Sequence, residues 1–144
     1  MTLKSTLFLT LPLLLLSSIA TGQAERTFVK SFNVLNKKTV VLNLGENMQV
    51  IPWDSDIVRV QMSVSLPFST DATLKALAET GRYMIKSEVI ESAFVLSAPF
   101  LQNSIKMNGN LLKESIVYVI YTPKNVTVVR NEDIAAQTVA KSKS

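Results

Sequence analysis

The chain has 144 residues, with 15 Lys and Arg against 11 Asp and Glu and a formal net charge of +4. It contains neither histidine nor cysteine. The length allows one domain, and the weak, scattered positive charge gives no footprint for nucleic acid. The missing residue types remove Ser-His-Asp and Cys-His nucleophiles, histidine proton transfer, disulfides and the usual zinc or haem ligand sets.

Lys4, the apolar run Leu7–Leu16 and the small residues of Ser17–Ala24 follow the order of a secretory signal peptide. The run is shorter than a bilayer span. Residues 1–24 are therefore expected to be an address, removed after Ala24 or after Ala20, which leaves an exported mature chain with no transmembrane span. Without Lys4 its balance is 14 basic against 11 acidic residues. An exported chain without disulfides depends on its core, and this favours a bacterial periplasmic or cell-surface setting.

From Thr27 onward the apolar residues recur with a period of two. Val40, Leu42 and Leu44 share a face, and Gly45-Glu46-Asn47 closes that strand. Met48 and Val50 continue the alternation until Pro52, which has no backbone N–H and marks a strand edge or end. After Trp53-Asp54-Ser55-Asp56 the most regular strand begins, with Val58, Val60, Met62, Val64 and Leu66 on one side and Arg59, Gln61, Ser63 and Ser65 on the other. One dry and one wet face are expected there.

Ser69-Thr70-Asp71 supplies helix-capping groups, Leu74, Leu77 and Ala78 form a helical stripe, and Gly81 ends it. A helix this short is marginal alone and must pack on the sheet. Tyr83–Ile90 and Ala93–Ala98 read as a hairpin turning at Glu91-Ser92. Asn108-Gly109 is a second hairpin turn, because both residues tolerate positive φ. Ser115–Tyr121 is apolar on both faces, as expected of a central strand. Val126–Val129 is the last strand, and residues 133–144 are expected to be a flexible or weakly helical tail.

The reading is thus mainly β: a compact or coiled (β-helix-like) sheet of about eight short strands in residues 25–132, with one short helix packed on it. Trp53, Asp54 and Asp56 are the candidate ligand-binding residues. As a turn, the aspartates satisfy the bend and the tryptophan caps the core with its ring N–H on a carbonyl. As a site, the same residues hold a small ligand or a cation, although the spacing of a calcium loop is missing. No catalytic residue, metal ligand or cofactor is expected.

Asn43-Leu44-Gly45, the Trp53–Asp56 turn leading into Val58-Arg59-Val60, Leu74–Leu77 with Gly81-Arg82-Tyr83, and Tyr118 with Pro123–Val126 form an ordered set. As such, the chain resembles exported hypothetical proteins of Bacteroidetes and the adhesin or auto-transporter-adhesin-like β-domain families of unknown function. The resemblance implies a coiled, β-helix-like sheet behind a signal peptide and offers no catalytic residues. The expected function is a non-enzymatic envelope binding or scaffolding domain whose partner is an envelope protein or glycan. The alternative is a small-ligand or cation-binding module near Trp53.

Overall fold

The computed structural model describes residues 22–131. The expected tail lies outside them, as does the expected signal peptide except for Gly22, Gln23 and Ala24. Within the described residues the elements run β1 (Gln23–Asn33), β2 (Thr39–Asn43), β3 (Met48–Trp53), β4 (Ile57–Pro67), α1 (Asp71–Glu79), β5 (Lys86–Ile90) and β6 (Ala93–Ser97). A 3-10 turn (Pro99–Gln102), β7 (Lys106–Met107), β8 (Asn110–Leu111), β9 (Ser115–Pro123) and β10 (Thr127–Arg130) complete the chain.

The alternating sequence of β4 becomes its burial pattern, for Val58, Val60, Met62, Val64 and Leu66 are all fully buried. β4 lies inside a four-stranded sheet of order β1-β4-β9-β3. It is antiparallel to β1 from Asn33–Ile57 to Gln23–Pro67, and antiparallel to β9. β3 adds to the far side of β9 in parallel. The second sheet has the order β10-β2-β6-β5, in which β10, β2 and β6 are mutually parallel and β5 closes antiparallel.

The two sheets contribute to one core. Val40 and Leu42 of β2 and Phe94 and Leu96 of β6 join the β4 residues, with Tyr118 and Ile120 of β9. The rings of Phe32 and Phe94 meet edge-on at 6.4 Å, which joins one sheet to the other.

This architecture corrects the coiled, β-helix-like expectation, because the sheets are neither closed nor curled. Ten strands are present among the described residues, in two separate four-stranded sheets and the small β7-β8 hairpin. The physical reason lies in strand length and pairing. β1 and β4 are each eleven residues long and antiparallel along their whole length. A solenoid rung instead needs short strands stacked in parallel through frequent tight turns, and only four glycines are available.

The local expectations are mostly met. α1 starts at Thr70, whose hydroxyl accepts from the Thr73 N–H, and ends before Gly81, which has φ +83°. Leu74 is fully buried, and Leu77 and Ala78 pack against the core. Asp71 in the first turn holds Arg26 of β1 through both carboxylate oxygens at 3.1 Å. Asn108 and Gly109 both take positive φ between β7 and β8, and Pro52 sits on the edge strand β3. Tyr83–Ile85, read as strand, precede β5 as turn and extended chain.

Ala24 is buried in β1 opposite Leu66. Cleavage after Ala20 would leave this strand whole, whereas cleavage after Ala24 would remove its first two residues.

Leu96→Ala is expected to lower unfolding free energy in urea by about 2–5 kcal/mol, since it opens a cavity between the sheets. Val29→Ala, on an exposed position of β1, should stay within about 0.5 kcal/mol of the parent.

Candidate functional site

β9 connects two unlike ends of the sandwich. At its start lies a buried polar cluster, and at its finish lies the Trp53 turn.

The polar cluster is built by three segments that meet above the core. Arg82, in the turn after α1, donates Nε–H to Glu114 Oε1 at 2.8 Å and a terminal N–H to Glu114 Oε2 at 2.5 Å. Its other terminal nitrogen donates to the carbonyls of Phe100 and Asn103, both at 3.0 Å. The Tyr83 hydroxyl donates to Glu114 Oε1 at 2.7 Å, and its ring stacks on Phe28 at 5.3 Å. The side chains of Arg82 and Glu114 are each only 8% exposed, so this is a bidentate ion pair removed from water.

The bond to Glu114 raises the Arg82 pKa above its ordinary value, helped by the Glu114 charge and opposed by burial. Burial, and then the bond to Glu114, push the Tyr83 phenol up. Burial first, and the Glu114 charge second, push Tyr118 up to about 12. The Tyr118 hydroxyl is buried and has no hydrogen-bond partner.

Arg82, Glu114 and Tyr118 also line a cavity of about 390 Å³ together with Gly45, Glu46 and Asn47. Both oxygens of Glu114 are already bonded to Arg82 or Tyr83. The cluster therefore fastens chain segments together. Sequence reading did not bring the cluster together, because Arg82 and Glu114 are 32 positions apart. The faint signal was an Arg-Tyr pair directly after a helix-stopping glycine.

At the opposite end, the structure brings the three sequence-derived site residues together. Trp53, Asp54 and Asp56 line a shallow cavity of about 280 Å³ with Ser55, Lys124 and Asn125. The expected bond of the ring N–H is present, as Trp53 Nε1 donates to the Ile57 carbonyl at 2.9 Å. The ring, however, does not cap the core. It lies against Tyr121 at 5.3 Å, with the Arg59 guanidinium 5.0 Å from its centroid.

Arg59 and Tyr121 alternate with the buried Val58, Val60, Ile120 and Thr122. Trp53 therefore belongs to the outer face of the first sheet. β3 is an edge strand, and its last residue folds its ring over the sheet surface instead of under it. Asp54 makes an exposed ion pair with Lys124 at 2.7 Å.

A second cavity of about 360 Å³ adjoins the first and shares Asp56 and Asn125 with it. It is lined further by Asn33, Asn36, Lys37 and Lys38, on a loop where Leu35 and Asn36 adopt positive φ. The Thr127 N–H donates to the Lys38 carbonyl at 2.7 Å and ties that loop to β10. The fold thus places Lys37 and Lys38 beside Asp56, 18 positions further along the chain from Lys38.

Among the described residues no group of three or more Asp, Glu, His or Cys side chains is placed to hold a metal ion, and no helix is long and apolar enough to cross a membrane. No protein-family model, curated protein or solved structure matches the chain.

Two outcomes test the buried cluster. Glu114→Ala leaves Arg82 buried without its counterion and should cost about 3–5 kcal/mol in chemical denaturation. The second concerns pH. Folding raises the pKa of Tyr118 from the ordinary value near 10 to about 12, so its neutral form is the one the fold favours. That contribution is fully present below about pH 10 and is lost as pH rises toward 12. Tyr118→Phe, which removes an unpartnered hydroxyl, should be at least as stable as the parent at pH 8 and lose less stability between pH 9 and 11.

Proposed function

We propose that this protein is an exported, non-enzymatic binding domain of a Gram-negative cell envelope, and that the Trp53 end of the sandwich is its recognition surface. One observation carries the reading: two adjoining polar cavities share Asp56 and Asn125 beside the chain's single tryptophan. Within a few side chains this end offers an aromatic surface, guanidinium and ammonium donors, carboxylate acceptors and side-chain amides. Tryptophan, tyrosine and arginine are the residues on which binding surfaces most often concentrate their energy. Glycans and polar protein loops of the envelope present the matching groups.

The export reading draws on the order of residues 1–24. A cation-binding role is weaker, because Asp54 is committed to Lys124 and only Asp56 remains as a carboxylate in either cavity.

Fluorescence of the lone tryptophan reads this site directly. Titration with soluble envelope glycan fragments, or with proteins co-purified from a native envelope extract, should shift its emission. Trp53→Ala and Arg59→Ala should each weaken capture of the partner by about tenfold or more. An unchanged spectrum, with identical captured material for parent and Trp53→Ala, would rule out this surface. Calcium is expected to leave the emission unchanged.

A further inference from the structure

The four lateral edges of the two sheets are treated differently. β1 is flanked by α1 and fastened to it by the Arg26–Asp71 pair, and Lys30 reaches across to the Ile85 carbonyl at 2.9 Å. β3 carries Pro52, which cannot donate a ladder hydrogen bond. β10 is only four residues long. Among the described residues β5 has none of these protections: it pairs with β6 alone, contains no proline, and all five of its residues are exposed. Val89 and Ile90 are 42% and 51% exposed, and Met84, just before the strand, is 47% exposed. An open edge of this kind is a template for another strand.

The order of residues around this edge is self-complementary in one register. In an antiparallel pair, directly opposed residues project from the same face with Cβ atoms about 4.5–5.5 Å apart. If two copies of β5 pair about a two-fold axis at Ser87, Lys86 of each copy faces Glu88 of the other. Ile90 then faces Met84, and Val89 faces Ile85. Within β5 itself both charges meet their opposites, and it is they that select the register, because Met84 and Ile85 precede the strand, the Met84 N–H donates to the Gly81 carbonyl at 3.0 Å and Ile85 is buried in the core. Pairing about Glu88 would instead oppose two carboxylates and set Lys86 against Ile90. Pairing about Lys86 would oppose two ammonium groups.

We infer that the protein forms a symmetric homodimer through antiparallel β5–β5 pairing centred on Ser87, which joins the second sheets of two copies into one continuous eight-stranded sheet. The interface is isologous, as a two-fold axis requires. No β5 residue lines the Trp53 cavities, so the dimer stands whether or not those cavities are the recognition surface.

The absence of cysteine makes the register directly measurable. Opposed Cα atoms in an antiparallel pair lie about 4.5–5.5 Å apart, within reach of a disulfide. Under mild oxidation, Ser87→Cys in the full exported chain should give a covalent dimer. Val89→Cys, which the same register moves out of bonding distance of its own copy, should not. In sedimentation velocity the parent should show a monomer–dimer equilibrium.

Glu88→Lys should raise the dissociation constant at least about tenfold, since it sets lysine against lysine. The charge-exchanged pair Lys86→Glu with Glu88→Lys should restore it. Glu79→Lys, an exposed change on α1, serves as control and should leave the equilibrium unmoved. A parent that stays monomeric at millimolar concentration overturns the inference, as does cross-linking through Val89→Cys in place of Ser87→Cys, or failure of the charge exchange to rescue Glu88→Lys. Each variant changes an exposed side chain, and circular dichroism confirms that it is folded.

Discussion

The bidentate pair between Arg82 and Glu114 is the contact on which the closure of this sandwich depends. Arg82 stands where the chain leaves α1 on its way to the second sheet, and Glu114 where it is about to re-enter the first sheet as β9. Between them the guanidinium also holds the carbonyls of Phe100 and Asn103, which fixes the 3-10 turn that follows β6. One side chain thus pins three connections that would otherwise be long and weakly packed. A buried ion pair adds little net stability compared with a well-packed apolar substitute, yet losing one partner is costly. Its effect here is to specify a single arrangement: the Arg82 fork is filled by a carboxylate and two carbonyls in fixed directions.

With that end closed, β9 becomes the spine of the first sheet. It runs from Ser115 to Pro123 between β4 and β3, and its two faces do different work. Tyr118, Ile120 and Thr122 are buried in the core, whereas Val117, Val119 and Tyr121 form the outer surface on which Trp53 lies. The strand that was apolar on both faces is central within its sheet, but among the described residues no element covers its outer side. That uncovered face ends at the polar loops carrying Lys37, Lys38, Asp56 and Asn125. The rigid, charge-locked end and the open, polar end are therefore separated by the length of one strand, an arrangement that suits a binding surface held on a stiff support.

The treatment of the sheet edges follows the same division. The first sheet is shielded by α1 on one side and by Pro52 on the other, while among the described residues nothing pairs with the outer edge of β5. Lys86 and Glu88 on a bare strand act as a deterrent to indiscriminate pairing, because most registers set like charges together or charge against hydrocarbon. The same two charges make one register favourable, so they both exclude wrong partners and select a matching copy.

The sequence by itself determined the local structure. The two-residue alternation of Val58 to Leu66 required a strand with one dry face, Thr70 and Gly81 bounded α1, Asn108-Gly109 made a hairpin, and Pro52 marked an edge. In each case the cause acts within a few residues, through side-chain alternation, capping or permitted backbone angles. The same local logic grouped Trp53, Asp54 and Asp56, since they are adjacent in the chain. Only the tertiary structure decided that β3 would run parallel to β9 and β10 parallel to β2, that the sheets would lie as an open sandwich and not coil, and that Trp53 would fold over the outer face. It alone brought Arg82 to Glu114 and Lys37 and Lys38 to Asp56. These outcomes depend on which distant surfaces complete one another's burial and hydrogen bonding, and that information is carried by pairs of residues, not by either neighbourhood alone.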